Sequence, residues 1–353
     1  MNPETPLLSL CIPTYNRAVL LTQALDAILT QIGPEEAQQI EVLILDNASP
    51  DGTPAVIEDA ARRSPHVSLR RVRHANNIGP DANFLEAICL ASGEFVYLIS
   101  DDDVLLPGGV RKLLEMIQRY PDFDAFSLNC QGFQFSPEEP GVPYLVLSED
   151  LATQDKDEVL QMAQTSIGFM SIMAFRKARI ADRIAAGMYA DKIGTHFLQS
   201  YVFLDVLLGG NGFAAAATPM IAQRAENSTA FNYFQVFITE IHALMTYAQR
   251  IGFSRSVVRK IEAKNLTQTR HFISRVMIYG REREMWSSRR DAISRLFGVY
   301  GWNPYIWLVL VPLMFFPRPL RPLVPLVRRL LGRPEAAAER AARGGWGPDA
   351  TRP

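Results

Sequence analysis

What this sequence has little of narrows its chemistry first. Its 353 residues hold three cysteines, Cys11, Cys89 and Cys130. They are far apart, odd in number and form no CxxC. That excludes a disulfide framework and a thiolate zinc site, and reads as reduced, buried thiols in a cytosolic protein. Net charge is only −1, so no basic field speaks for nucleic acid. The first strand is followed by no GxGxxG, against NAD and FAD, and no GxxxxGK[ST] speaks for a P-loop ATPase. No Ser–His–Asp or nucleophilic Cys arrangement is evident. The N-terminus, "MNPETPLLSL", lacks the basic start and long apolar stretch of a signal peptide. The apolar run "YIWLVLVPLMFF" (Tyr305–Phe316) is interrupted by Pro312 and falls short of the roughly 20 residues that span a bilayer. There is no internal repeat and no long low-complexity segment.

What is present is a regular alternation over the first 130 residues. Short apolar runs read as strands at Leu7–Ile12, Glu41–Leu45, Val67–Val72, Phe95–Ile99 and Asp124–Leu128. Between them, Leu21, Ala24, Leu25, Ile28, Leu29 and Ile32 follow the spacing of one helix face. Thr53 and Pro54 read as an N-cap and first helical residue of a helix reaching Arg63. Further helices are expected over Ala82–Ala91 and after Pro107. Strands joined by helical crossovers imply a parallel α/β sheet with helices on both faces. Ligands bind such sheets beyond the carboxyl ends of the strands. Four polar clusters fall there in succession: "PTYNR", "DNASPDGT", "HANNIG" and "SDDD".

The acidic cluster is Asp101, Asp102 and Asp103. Folding alone gives no reason to assemble three like charges. Carboxylates at a strand end suit a hard divalent cation, with water and substrate phosphate completing the shell. The plain alternative is a solvated acidic turn, or a cap for the next helix. Asp46 leaves the second strand directly, where a carboxylate can accept from a base or ribose. Asp51 and Gly52 read as turn residues. Tyr15 could stack on a nucleobase. His66, His74, His242 and His271 form no ligand-spaced set, and Arg71 and Arg73 alternate on the third strand, facing solvent.

The stretches "SLCIPTYNRAVLLTQALDAILTQ", "EVLILDNASPDGT" and "NNIGPDANFLEAICLASGEFVYLISDDDVLLPGGV" resemble the nucleotide-sugar domain of family 2 glycosyltransferases, a GT-A fold. The resemblance covers residues 7 to about 128. A weaker likeness to abequosyltransferase-like O-antigen enzymes continues to about Pro219. It implies that Pro13, Tyr15 and Arg17 line a base pocket and that Asp46 binds base or ribose. Asn76 and Gly79 would shape the sugar–phosphate floor, and Asp102 and Asp103 would hold Mg²⁺ or Mn²⁺. The commonest family pattern is Asp-x-Asp-Asp. Ser100 takes the first acidic place here, with Asp101 a candidate to compensate on the substrate side. The acidic pair that many members use as general base is missing from "ADKIGTHFLQ". Asp191 and His196 are the titratable groups in its place, each equally readable as structural. His196 is expected in the first turn of a helix.

These features predict a domain over 1–220, with a nucleotide-sugar half (1–130) and an acceptor half (131–220). From about Asp155 the chain reads mostly helical. A helical extension is expected over 221–335, with Val236, Phe237, Ile241, Leu244 and Met245 on one face, and a disordered tail over 336–353. Trp302, Tyr305 and Trp307 before the apolar run, and Arg318, Arg321, Arg328, Arg329 and Arg333 after it, suit an interfacial anchor at 302–333 on an anionic leaflet. The alternative is a helix packed on the core. The expected protein transfers a sugar from a nucleotide-diphosphate donor to a lipid-diphosphate-linked glycan in cell-surface polysaccharide synthesis, at the cytoplasmic membrane face. Two other readings remain: a sugar nucleotidyltransferase, for which the basic phosphate loop is lacking, and a non-catalytic protein that keeps the fold.

Overall fold

The computed structural model describes residues 5–133, 136–139, 141–224, 232–279, 288–301 and 303–315. The chain forms two compact units, Met1–Ala225 and Glu226–Pro353.

In the first unit, β1 (Leu8–Thr14), β2 (Ile40–Asp46), β3 (Ser68–Arg73) and β4 (Phe95–Leu98) pair in parallel, in the order β3-β2-β1-β4. Helices α1 (Ala18–Leu29), α2 (Thr53–Arg63) and α3 (Pro80–Leu90) make the crossovers. Every residue of β1, β2 and β4 is buried. A parallel sheet covered on both faces needs such continuous apolar runs, because neither side of the strand meets water. The core side of α1 is Leu21, Ala24, Leu25, Ile28 and Leu29, the face its spacing marks. Each of these leucine and isoleucine side chains contributes about 1.5–3 kcal/mol by leaving water. Thr53 is not the cap of α2. Its N–H donates to Asp51 Oδ1 at 3.1 Å, so the capping carboxylate lies two residues earlier.

The parallel pattern ends at β4. The remaining strands are β5 (Val104–Leu105), β6 (Ala125–Phe133), β7 (Leu151–Thr153), β8 (Ala174–Arg176) and β9 (Phe213–Arg224). Short β8 lies antiparallel between β4 and β6, while β9 runs parallel to β6 and antiparallel to β5 and β7. The sheet is therefore mixed. The expected run of helix from Asp155 holds instead two strands, β8 and β9, with α5 (Lys156–Ala163), α6 (Ala181–Ala185) and α7 (Leu198–Gly209), following α4 (Gly109–Arg119). β9 escapes recognition because "FAAAATPMIAQR" is rich in alanine and holds a proline, both poor strand formers. Pro219 sits opposite Asn129 where the β6–β9 register shifts, a place where a missing N–H is tolerated. The three thiols are free, but Cys89 is exposed rather than buried.

The second unit is helical. A π-helical turn, Gln235–Glu240, runs into α8 (Ile241–Ile251), which Gly252 ends in a left-handed conformation (φ 119°). Next come α9 (Arg255–Tyr279), a helix over Arg289–Tyr300, a π-helical turn over Ile306–Leu310 and a last turn over Val311–Phe315. Phe234, Ile238, Ile273, Leu296, Ile306, Leu310 and Met314 form its core. Three residues of the segment read as a surface anchor are thus buried, as the core-packing alternative requires, while Leu308 stays 76% exposed. Trp302, the arginines from Arg318 onward and the tail over 336–353 lie outside the described residues. Among the described residues no helix is long and apolar enough to cross a membrane.

Candidate active site

The register Thr14↔Asp46 puts the ends of β1 and β2 level, and Cys11↔Leu98 sets β4 beside them. Their loops therefore share one rim. Two non-glycine residues there have left-handed backbones, Asn16 (φ 56°) and Ala48 (φ 61°). Such conformations cost of order 1–3 kcal/mol and persist only where neighbours enforce them. Here cross-loop bonds do so. Asn16 N–H donates to Ser49 Oγ at 2.9 Å, and Ala18 N–H to Asp51 Oδ2 at 3.0 Å. Asp51 thus serves the first residues of both α1 and α2. Burial acts to raise its pKa, but the bonds from Thr53 and Ala18 hold it below the usual carboxylate range.

Asp46 is buried at the end of β2. Its Oδ1 accepts the Ser49 N–H at 2.8 Å. Its Oδ2 has no hydrogen-bond partner among the described residues, although Arg73 Nε stands 3.3 Å away. Arg73 also donates to the Ser49 carbonyl at 3.0 Å, so it braces this loop rather than simply facing solvent. Arg71 pairs with exposed Glu58. Pro13 is buried in β1, and Tyr15 is 43% exposed at the rim. Asn76 is exposed, and Gly79 (φ 86°) has the backbone that only glycine adopts easily as it starts α3. Asn47 does more than turn the chain: it ties this floor together. Its amide donates to Asn77 Oδ1 at 3.0 Å and its Oδ1 accepts from Ile78 N–H at 2.9 Å.

The three aspartates do not act alike. Arg17 Nη1 lies 3.1 Å from Asp101 Oδ1 and 2.5 Å from Asp102 Oδ2. Expected in the base pocket, Arg17 instead bridges the two carboxylates. Asp102 Oδ1 accepts from Ser100 Oγ at 2.5 Å. Burial pushes the Asp101 carboxyl up to about 6, with Arg17 pulling the other way. Asp103 points inward and is 4% exposed, its Oδ2 accepting from Ser171 Oγ at 2.5 Å. Burial, then the neighbouring Asp102 charge, raise it well above the carboxylate range. Ser171 is a hub no sequence feature announced. It also accepts from the Ser100 N–H, and its carbonyl takes the Tyr97 hydroxyl at 2.6 Å.

The fit to a divalent cation follows from this geometry. Asp101 and Asp102 converge on one cationic group, so their oxygens suit a hard cation. Asp103, expected as the second ligand, does not join them, because Ser171 holds it in the core. Among the described residues, no three His, Cys, Asp or Glu side chains gather as a metal cluster.

His196 and Asp191 come from the segment before α7. The helix begins at Leu198, so His196 precedes it instead of lying in its first turn. Thr195 breaks the run: its N–H bonds back to the Lys192 carbonyl and its hydroxyl takes the Phe197 N–H. His196 is exposed, with a left-handed backbone (φ 64°). Its N–H and that of Gly194 donate to Asp81 Oδ2 at 3.0 and 2.7 Å. Asp81, at the start of α3, thereby joins the segment after Gly79 to the His196 loop. Asp191 is exposed and pairs with Lys192 at 2.7 Å.

A family model described as "Glycosyl transferase family 2" matches residues 9–176. The chain is 38% identical over 124 residues to the abequosyltransferase RfbV of Salmonella typhimurium, covering 35% of this chain and 35% of that protein. It is 32% identical over 110 residues to the GalNAc(5)-diNAcBac-PP-undecaprenol beta-1,3-glucosyltransferase of Campylobacter jejuni, over 31% of this chain and 34% of that protein. The chain thus spans about a third of the length of the curated relatives it matches. In fold it resembles S. aureus TarS 1–349 in complex with UDP-GlcNAc, with TM-score 0.60 and 17% identity, over 95% of this chain and 88% of that one.

Proposed function

We propose, on the premise that residues 9–176 are a family 2 glycosyltransferase domain with a GT-A-like fold, that this protein moves a sugar from a nucleotide-diphosphate sugar to a hydroxyl of a glycan acceptor. One observation carries the reading. Within the matched domain a single rim collects the unsatisfied Asp46 Oδ2 and the Asp101–Asp102 pair between loops under backbone strain.

Each group has a task in that reaction. Asp46 Oδ2 accepts from the base or ribose, and Tyr15 offers a face for stacking beside Pro13. Asn76 and Gly79 form the floor under the sugar diphosphate. Asp102, together with Asp101, would hold Mg²⁺ or Mn²⁺, while Asp103 fixes the loop through Ser171. A bound ion would supply Lewis-acid neutralisation of the leaving diphosphate. The acceptor hydroxyl must lose a proton as the bond forms, and His196 is assigned to take it, with Asp191 the second candidate. The Campylobacter relative's printed name supports a glycan acceptor carried on undecaprenyl diphosphate. Work at a membrane surface follows from such a carrier.

The test is a thermal-shift panel of UDP-, GDP-, CDP- and dTDP-sugars with Mn²⁺ or Mg²⁺. A ligand bound to the native state raises apparent stability by mass action. One base should stabilise the protein selectively, and Asp46→Ala should lose that shift. No shift with any donor would overturn the proposal.

A further inference from the structure

The Asp101–Asp102 pair already carries a cation of its own. Arg17 Nη1 bridges Asp101 Oδ1 and Asp102 Oδ2. The side chains of Arg17, Asp101 and Asp102 are only 22%, 7% and 15% exposed, so water and salt screen the cluster weakly. Two sheltered carboxylates without a countercharge would be costly, because an uncompensated buried charge loses its hydration with nothing in return. The site therefore needs a cation at all times. A second cation between the same oxygens would meet like-charge repulsion from the guanidinium.

We propose that Arg17 is a built-in counter-ion which a divalent metal must displace. The inference deepens the reading above and rests on it for the metal. The anchoring of Arg17 permits the exchange. Its backbone is fixed, with the N–H donating to Thr53 Oγ1 at 3.3 Å at the start of α1, while the long side chain beyond can rotate. Displaced from the carboxylates, the guanidinium stays on the same rim. There a diphosphate is the matching partner, because the planar fork binds phosphate oxygens in pairs. Metal and diphosphate would then bind co-operatively, each providing for the charge the other displaces. Free of nucleotide, the protein should hold metal weakly.

The test reads metal binding, not sugar transfer. Free Mn²⁺ is followed by electron paramagnetic resonance at pH 8 with full-length protein and no nucleotide. Arg17→Met should bind Mn²⁺ at least about tenfold more tightly than the parent, a gain of about 1.4 kcal/mol. Arg17→Lys, which keeps a positive charge, should stay near the parent. Adding Asp102→Asn to Arg17→Met should remove the gain. If Arg17→Met does not fold, Arg17→Gln gives the same comparison. Equal or weaker binding in the neutral variants, or a gain that survives Asp102→Asn, overturns the proposal. Either result leaves the sugar-nucleotide panel untouched, so the two readings fail separately.

Discussion

Asp81 illustrates how one carboxylate can set the geometry of a site from outside it. It is 2% exposed, and its Oδ1 has no hydrogen-bond partner among the described residues. Its Oδ2 holds two backbone N–H groups in the loop of His196, 115 positions away in sequence. Those bonds keep His196 in its left-handed conformation. Asp81→Ala would remove both bonds and leave the exposed N–H groups to water, at a cost of about 1 kcal/mol each. The expected outcome is faster amide exchange at 194–196, together with slower single-turnover transfer and unchanged donor binding. If exchange there stays at the parent rate, Asp81 does not hold the loop. The same assay separates the candidate bases. His196→Ala should slow the chemical step by roughly 10²-fold, the usual scale for a lost general base, and leave donor binding intact. Asp191→Asn should change little, since Asp191 is exposed and already paired with Lys192. The reverse ranking would move the role to Asp191.

At the scale of elements, the parallel half of the sheet is fastened at the end opposite the site. Ser9 and Glu41 are register partners on β1 and β2. Glu41 Oε2 accepts from Ser9 Oγ at 2.5 Å and from the Ser92 N–H at 2.9 Å, and its Oε1 lies 3.3 Å from Arg70 Nε of β3. Burial acts to raise the Glu41 pKa, but those hydrogen bonds and the Arg70 charge hold it below the ordinary value. A depressed carboxylate contributes stability above its unfolded pKa of about 4.3, and that contribution is lost as pH falls through the folded value. The parent should therefore lose more melting temperature between pH 5 and pH 3 than Glu41→Gln does. Equal slopes would remove Glu41 from the acid response. The elements also differ in how far sequence reveals them. β1, β2 and β4 stand out because both their faces are buried, which forces unbroken apolar runs. β8 has three residues, too few for any period, and β9 is built of alanines that carry no strand preference. The same divide runs through the site. Asp46 and Asp101–Asp103 are conspicuous as charges leaving apolar strands. Ser171, Asn47 and Asp81 are ordinary polar residues whose importance lies in partners far along the chain. Arg17 is legible as a rim residue, but its choice of carboxylates over the base pocket depends on three-dimensional packing.

At the scale of the whole molecule, the division at Ala225 assigns tasks that can be separated. Among the described residues, the nine strands and every residue proposed to act in sugar transfer lie in the first unit. A chain of that length is long enough to bury a core of its own. The second unit has a distinct core around Phe234, Ile238, Leu296 and Leu310, with the apolar segment 305–315 built into it. Burying Ile306, Leu310 and Met314 leaves less apolar surface for a membrane than the sequence suggests, but Leu308 remains outward. These facts predict different losses from one truncation. A chain ended at Ala225 should melt cooperatively and keep the thermal shift given by the preferred sugar nucleotide, because every residue of the rim proposed to bind the donor lies within it. It should also lose whatever binding the full chain shows to vesicles containing anionic lipid, measured by co-sedimentation, since the apolar segment and the arginines after it are gone. Aggregation of the shortened chain would show that the first unit does not fold alone. Vesicle binding that persists in it would place the membrane contact on the sheet unit, and a full chain that never sediments with vesicles would remove the membrane from the function.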